Sequence, residues 1–275
     1  MLTRRVLLGA GLAGVALSTT GCADDEEAAV GVERVDYGSD PSQWVELTRP
    51  TDESRGVVVV IHGGFWKAEY DASLGQPLAA DLAARGWTAC NIEYRRVGSG
   101  LGGGGGVPET LDDVAAAIDA LADVPDLDLS IVVTLGHSAG GHLATWAAAR
   151  GRFDRWPEGV AVTGVISQAG VLDLTAGSEA GLGGGAVEAF VGAAPGPAYD
   201  EVDPARQLPL DVPVWCVHGS DDLVVPLSQS SSYVDRAVAA GATAELVEVD
   251  GDHFVVIDSG SEAWTRTVAI LDGLG

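Results

Sequence analysis

Basic residues are scarce in this sequence of 275 residues, and Lys67 is its only lysine. Lysine and arginine together number 15, against 40 aspartates and glutamates, so the formal net charge is −25. Nucleic acids and anionic membrane surfaces are bound through clustered Lys and Arg side chains. The charge balance therefore argues against nucleic acid or a bare membrane surface as a partner.

Cysteine is also rare, with Cys22, Cys90 and Cys216 as the only three. Cys90 and Cys216 stand in two separate strand-like segments. A disulfide needs Cα atoms within about 7 Å of each other, and the topology expected below keeps these strands apart. We expect both to be buried free thiols.

An apolar run of twelve residues, Val6–Leu17, lies near the N-terminus, which is too short for a membrane-spanning helix. It follows Arg4 and Arg5 and precedes small residues, an arrangement typical of an export signal. "TRRVLL" resembles a twin-arginine motif, and "STTGC" resembles the lipobox of bacterial lipoproteins, in which the cysteine becomes lipidated.

These features predict three parts of the chain. Residues 1–22 form the export signal, residues 23–32 an acidic flexible spacer, and residues 33–275 an extracytoplasmic domain. The domain would touch a membrane only through lipid on Cys22, although cleavage at a nearby small residue without lipidation stays open.

Beyond the spacer, strand-like and helix-like segments alternate along the chain. "GVVVVIHGG" is an unbroken β-branched run, typical of a strand buried on both faces. The alternation predicts an α/β fold with a mostly parallel eight-stranded sheet and helices on both faces. Residues from about 175 to 209 break the rhythm and predict a short cap insertion, in which only "AVEAFVG" looks helical.

Ser138 stands in the sequence "LGHSAGGHLA", between a strand-like and a helix-like segment. This context matches the G-x-S-x-G nucleophile elbow, in which a sharp turn exposes a serine hydroxyl. A serine needs a base that is itself oriented by an acid. Ser138 is therefore the predicted nucleophile.

His253 follows the last strand-like segment and is the predicted base, because the order Ser, Asp, His along the chain is that of α/β-hydrolases. The acid is Asp221 or Asp222, and the pattern of "HGSDDLVVP" favours Asp222. The remaining histidines lie within turns or at a helix start, and we expect supporting roles for them: His62, His137, His142 and His218.

"HGGFW" follows the third strand and is the predicted oxyanion loop. Backbone N–H groups of Gly64 and Phe65, together with that of Ala139, would stabilise negative charge on a tetrahedral intermediate. Trp66 on this loop and Phe190 in the cap are predicted to line a small acyl pocket.

With these motifs, the sequence resembles the α/β-hydrolase superfamily over residues 33–272, and within it the branch of carboxylesterases and arylformamidases. The resemblance implies a serine hydrolase that cleaves small carboxylic esters through an acyl-enzyme intermediate. Kynurenine formamidases have an oxyanion motif of the form HGG-aromatic-W and a His-Phe pair near the end, and the sequence resembles them in both. The glycine-rich loop at residues 98–106 and the cap match no motif of the family.

Three alternatives remain beside the ester hydrolase. The first is an arylformamidase, which would take an amide substrate, and the second a peptidase of the prolyl-oligopeptidase type. The third is a catalytically silent hydrolase fold that serves as a binding module. No set of metal ligands and no phosphate-binding loop stands out, so no cofactor is expected. The oligomeric state does not follow from the sequence.

Overall fold

Strands and helices alternate along residues 31–274, which are the residues that the computed structural model describes. The strands are β1 (Val32–Asp36), β2 (Trp44–Thr48), β3 (Val57–Ile61), β4 (Thr88–Glu93), β5 (Val132–His137), β6 (Gly164–Gln168), β7 (Val214–Gly219) and β8 (Ala244–Val249). The helices are α1 (Gln76–Ala84), α2 (Glu109–Asp119), α3 (Ala139–Ala147), α4 (Leu174–Glu179), α5 (Ala186–Val191), α6 (Ser228–Ala239) and α7 (Glu262–Asp272). β1 begins at Val32, the last residue of the predicted spacer.

The described strands form one sheet of eight in the order β1-β2-β4-β3-β5-β6-β7-β8. The strands from β4 to β8 in this order are all parallel, whereas β2 runs antiparallel to both β1 and β4. The predicted α/β fold with a mostly parallel eight-stranded sheet is confirmed. Such a sheet brings the loops after its parallel strands to one edge, where ligands bind.

β3 is buried on both faces, as its β-branched run predicts. Because successive side chains of a strand point to opposite faces, Val57 and Val59 pack in one core cluster and Val58 and Val60 in the other. Helices α2, α3 and α6 cover the first face, while α1 and α7 cover the second. The two layers hold the central strands, and therefore the loops that follow them, in fixed positions.

The segment predicted to be a cap contains α5, as expected from "AVEAFVG", and also α4. The side chain of Asp173 caps α4 by accepting the backbone N–H of Ala176 at 2.8 Å. Six residues that include Gly177 offer too little periodicity for a sequence-based prediction. The same segment also contains three 3-10 turns: Leu182–Gly184, Pro197–Tyr199 and Pro204–Arg206.

Cys90 and Cys216 are free and buried, as predicted. They lie on β4 and β7, which are separated in the sheet by three other strands. Burial raises the pKa of the Cys216 thiol to about 12 and that of Cys90 further still. Neither thiol is therefore ionised near neutral pH, and reactivity depends on the thiolate.

Candidate active site

Three predicted catalytic side chains and the predicted oxyanion loop follow four strands of the sheet at its carboxyl edge. Ser138 follows β5, Asp222 follows β7 and His253 follows β8. Ser138 and His253 line a common cleft of about 140 Å³ together with Gly64 and Phe65. The side chain of Asp222 is buried and does not line the cleft.

Ser138 occupies a sharp turn between β5 and α3. Its backbone has φ 56° and ψ −119°, a combination that non-glycine residues rarely adopt. Two neighbouring glycines make the turn possible: a Cβ atom on Gly136 would lie 2.0 Å from the carbonyl oxygen of Gly140, and one on Gly140 would lie 2.0 Å from that of Ile61. The strained turn is the geometry of a nucleophile elbow.

His253 and Asp222 form a short buried hydrogen bond. Nδ1 of His253 donates to Oδ2 of Asp222 at 2.6 Å, since an ionised carboxylate can only accept. Nδ1 therefore carries the proton, and Nε2 is the nitrogen that can accept one. Asp221, the other candidate acid, is exposed, and its backbone N–H donates to the carbonyl of Gly251.

The charge of Asp222 is stabilised from several directions. Burial alone would raise the pKa of its carboxyl, but hydrogen bonds outweigh that cost and hold the pKa well below its usual range. The donors are the imidazoles of His218 and His253 and the backbone N–H groups of Val225 and Val224. Asp222 therefore stays ionised and can stabilise a protonated His253.

Two of the other histidines lie against this pair. His137 donates through Nε2 to the backbone carbonyl of His253 at 2.9 Å, and the two rings are 4.5 Å apart between centroids. His218 places Nε2 3.0 Å from the carbonyl of Val225 and 3.2 Å from Oδ2 of Asp222. The predicted supporting roles agree with these positions.

The loop after β3 passes directly beside the serine turn. A Cβ atom on Gly63 would lie 3.0 Å from Cβ of Ser138, so only glycine allows this approach. Within residues 31–274, no hydrogen bond uses the backbone N–H of Gly64, Phe65 or Ala139 as donor. These three donors remain for a substrate oxygen, which is what an oxyanion hole requires.

Buried side chains hold this loop from behind. The hydroxyl of Tyr94 donates to the carbonyl of His62 at 2.7 Å, and Nδ1 of His62 donates to the carbonyl of Gly63 at 2.8 Å. Burial, assisted by the charge of Arg96, lowers the pKa of His62 to about 3. The ring is neutral at physiological pH, so it fixes the loop without adding charge.

Trp66 and Phe190 do not line the cleft, and the prediction that they form the acyl pocket needs correction. Trp66 has an exposed fraction of 0% and Phe190 of 1%, and their rings stack on each other in the core with centroids 4.6 Å apart. The backbone has positive φ angles at Phe65 and Trp66, and after this turn the Trp66 ring lies in the core. The apolar walls of the cleft come from other side chains: Phe65, Tyr70, Leu74, Val224, Phe254 and Ile257.

The segment predicted to be a cap contacts the cleft through Phe65. A Cβ atom on Gly183 would lie 2.4 Å from the Phe65 ring, and Nζ of Lys67 donates to the carbonyl of Gly183 at 3.2 Å. Lys67, the single lysine of the sequence, therefore links the loop after β3 to the segment predicted to be a cap. No local sequence pattern predicts this contact, because the two residues are 116 positions apart in the sequence.

Neither a cluster of metal ligands nor a membrane-spanning helix occurs in the described part of the chain. It contains no group of three or more His, Cys, Asp or Glu side chains that could hold a metal ion. Between residues 31 and 274, no helix has the length and apolar character needed to cross a membrane. The predicted signal and Cys22 lie outside the described residues.

The fold and the arrangement of this site define an α/β-hydrolase. The model of the BD-FAE family matches residues 45–236, which is more than half of the chain, and the chain belongs to this family. Among solved structures, the chain is similar to Esterase B from Lactobacillus rhamnosis, with a TM-score of 0.75 and 20% identity, covering 88% of this chain and 85% of that one. A truncated carbohydrate esterase from gut microbiota has a TM-score of 0.73 and 22% identity, with coverage of 88% and 94%.

A curated relative is Esterase LipC of Mycobacterium tuberculosis. The two are 29% identical over an aligned region of 223 residues, and the alignment covers 74% of this chain and 54% of LipC. The chain thus spans about half the length of the curated relatives it matches.

Proposed function

We propose that the protein is a serine hydrolase that cleaves small carboxylic esters through an acyl-enzyme intermediate. The observation that carries the proposal is the 2.6 Å hydrogen bond from Nδ1 of His253 to Asp222. His253 also lines the same cleft as Ser138. A nucleophile, a base and a buried acid in this arrangement are the parts that acyl transfer needs.

In this proposal, Oγ of Ser138 attacks the ester carbonyl while Nε2 of His253 takes the hydroxyl proton. Asp222 stabilises the imidazolium that forms. The backbone N–H groups of Gly64, Phe65 and Ala139 stabilise the negative oxygen of the tetrahedral intermediate. The imidazolium then protonates the departing alcohol, and water, activated by the same histidine, releases the acid.

Known relatives support an ester as substrate. LipC is named an esterase, and Esterase B was solved with a tributyrin phosphonate, which carries four-carbon acyl chains. The comparisons give no support to the alternative of an arylformamidase. For this chain, we propose the carboxylic ester as substrate.

The size and lining of the cleft favour a short acyl group. Its volume of about 140 Å³ is below the roughly 300–1,000 Å³ of pockets that enclose drug-sized ligands. Its walls are mostly apolar, so they favour a short aliphatic chain over a charged one. Three apolar side chains of the segment predicted to be a cap do not extend the cleft, because they are buried in the core: Leu182, Phe190 and Val191.

Labelling with a fluorophosphonate tests this proposal, because such reagents phosphonylate an activated serine. We expect one adduct per chain, located on the peptide that contains Ser138, and no adduct after His253→Ala, which removes the base. Labelling of a different serine would contradict the proposed nucleophile. Absence of any adduct in the folded wild type would contradict the serine mechanism as a whole.

We also propose that the protein acts outside the cytoplasm, held to a membrane by lipid on Cys22. This proposal depends on the sequence motifs of residues 1–22 alone. A chain with a formal net charge of −25 would otherwise be repelled by an anionic membrane surface. The anchor would therefore supply an attachment that the domain's own charge opposes.

A further inference from the structure

The acid of the proposed triad contacts a second imidazole besides that of His253. His218 lies on β7, and its Nε2 is 3.2 Å from Oδ2 of Asp222. Oδ2 is also the oxygen that accepts the 2.6 Å hydrogen bond from Nδ1 of His253. One carboxylate oxygen is therefore shared by two imidazole rings, and the two rings compete for its negative charge.

The surroundings of His218 fix the position of its proton. Nε2 is 3.0 Å from the carbonyl oxygen of Val225, in addition to its contact with Asp222. A carbonyl and an ionised carboxylate can only accept, so Nε2 carries a hydrogen. Nδ1 is 2.8 Å from Oγ of Ser230, whose hydroxyl can donate to it. Ser230 therefore supplies the donor that Nδ1 of a neutral ring needs, while the N–H of Nε2 is directed at the two acceptors.

The contact between His218 and Asp222 is shielded from water. His218 and Ser230 both have an exposed fraction of 0%, and the side chain of Asp222 is buried as well. Ser230 stands in the first turn of α6, which packs against β7. A hydrogen bond in such surroundings is electrostatically stronger than one in water, and solvent cannot replace a lost donor. The charge on Oδ2 therefore depends directly on the presence of the His218 N–H group.

A second donor to Oδ2 weakens the attraction between Asp222 and a protonated His253. The N–H of His218 draws negative charge from the oxygen that His253 contacts, so the imidazolium of His253 is stabilised less than it would be by a carboxylate without this donor. His253 then releases its proton at a lower pH. In the proposed mechanism, it can accept the hydroxyl proton of Ser138 over a wider pH range.

Other titratable side chains surround the two rings. The ring centroid of His137 is 4.5 Å from that of His253, and burial lowers the pKa of His137 to about 3. On the side of Ser230, burial raises the pKa of Cys216 to about 12 and that of Tyr233 further still. These three groups therefore stay neutral near neutral pH. Two carboxylates next to the triad residues in the sequence are exposed to solvent: Asp221 and Asp252.

We propose that His218, oriented by Ser230, is a positioning residue that shares Oδ2 of Asp222 with His253 and keeps His253 unprotonated to lower pH. This inference rests on the proposed ester hydrolysis for the role of His253. The sharing of Oδ2 is a property of the free protein and can be measured without a substrate, so the two proposals can fail separately.

The kinetic test is the pH profile of kcat/KM for 4-nitrophenyl acetate, whose acid limb reports protonation of the base in the free enzyme. His218→Met keeps a side chain of similar size without an N–H donor and should move this limb to higher pH by about one pH unit. His218→Gln places an amide N–H near the position of Nε2 and should restore the wild-type limb. As a matched control, His142→Gln replaces a buried imidazole that bonds to Val202 instead and should leave the limb in place.

Ser230→Ala tests the same contact with a smaller change, and it keeps the test decisive should His218→Met fail to fold. Loss of the hydroxyl leaves Nδ1 of His218 without its donor and weakens Nε2 as a donor. The acid limb should move in the same direction as in His218→Met, but by less. Ser232→Ala, at an exposed serine of α6, is the control and should keep the wild-type limb.

NMR measures the same effect without a substrate, through the chemical shift of Cε1–H of His253 as the pH is varied. The midpoint of this titration should rise by about one pH unit in His218→Met and keep the wild-type value in His218→Gln. Unchanged midpoints in His218→Met and Ser230→Ala would overturn the proposal, as would a lower kcat with an unchanged acid limb, which a merely structural role predicts. A raised midpoint in a protein that hydrolyses no ester would support the sharing of Oδ2 and contradict the proposed function alone.

Discussion

Nδ1 of His253 donates a 2.6 Å hydrogen bond to Oδ2 of Asp222, which precedes it by 31 residues. The other carboxylate oxygen, Oδ1, accepts the backbone N–H groups of Val224 and Val225 at 2.8 Å each. The turn after β7 thus holds one oxygen and directs the second at the imidazole. Sequence patterns favoured Asp222 over Asp221, and the turn explains the preference: only the side chain of Asp222 points inward.

Ser138→Ala should lower kcat for 4-nitrophenyl acetate by about 10⁴-fold or more, because removal of the nucleophile of a triad has effects of this order. Alanine also has a Cβ atom and strains the turn no more than serine does, so the circular dichroism spectrum and the Tm should stay close to those of the wild type. Ser130→Ala, at an exposed serine before β5, serves as the control and should keep full activity. Comparable turnover by the two variants would contradict the assignment of Ser138.

Asp222→Asn should lower kcat/KM roughly 10⁴-fold, because a neutral amide neither fixes the tautomer of His253 nor stabilises its imidazolium. Asp221→Asn should change kcat/KM by less than about twofold, since that side chain is exposed and the imidazole Nδ1 is bonded to Asp222 instead. Steady-state kinetics of the two variants with 4-nitrophenyl acetate provide the comparison. If Asp221→Asn has the larger effect, the acid must be reassigned.

The rate constant kcat/KM for 4-nitrophenyl esters should be highest from acetyl to butyryl and should fall for octanoyl and longer chains. Each methylene contributes about 0.8 kcal/mol, or roughly fourfold, only while an apolar wall receives it. Ile257 lines the cleft, and Ile257→Ala should shift the preferred chain to greater length. Leu223→Ala, at a side chain with an exposed fraction of 97% outside the cleft, should leave the profile unchanged. A wild-type optimum at decanoyl would show a longer acyl site.

Acid should destabilise the protein through its buried histidines, and His142 offers a test. Burial lowers its pKa to about 4, while the hydrogen bond from Nε2 to the carbonyl of Val202 works in the opposite direction. An unfolded histidine has a pKa of about 6.5. Between these values the unfolded chain binds a proton that the native state does not, so the free energy of unfolding falls as the pH falls.

His142→Gln keeps an N–H donor for Val202 but cannot titrate. The free energy of unfolding of this variant, measured in urea at about pH 7 and about pH 5, should fall less than that of the wild type, by up to about 1.4 kcal/mol per pH unit. Arg266→Gln, at an exposed residue of α7 that stays charged over this range, is the control. Parallel pH profiles for His142→Gln and the wild type would contradict the neutral buried histidine.

Cys22→Ala should move the protein from the membrane fraction to the soluble extracytoplasmic fraction, because a lipidated cysteine is the expected attachment. Fractionation followed by immunoblotting measures the change, and Ser18→Ala, which leaves the cysteine in place, is the matched control. An unchanged membrane fraction would contradict the lipobox interpretation. Export by cleavage at a nearby residue would still be compatible with that result.

Much of the fold follows from local sequence patterns. β-branched runs buried on both faces predict the parallel strands, because only strands between two helical layers can be apolar throughout. The elbow is also encoded locally, since Gly136 and Gly140 allow backbone contacts at 2.0 Å that any Cβ atom would block. From such signals, both the sheet and the position of Ser138 at its carboxyl edge could be predicted.

Other features depend on contacts between segments that are distant in the sequence. Trp66 follows the oxyanion loop and looks like a pocket residue, but positive φ angles and the stack on Phe190 place it in the core. A separate cavity of about 370 Å³ likewise joins Glu46, Asp71 and Arg96 from three segments, and no local pattern links them. The periodicity of apolar residues in the sequence predicts which face of a helix or strand is buried. The direction of a side chain in a loop depends instead on the turn geometry and on the residues that pack against it in the tertiary structure.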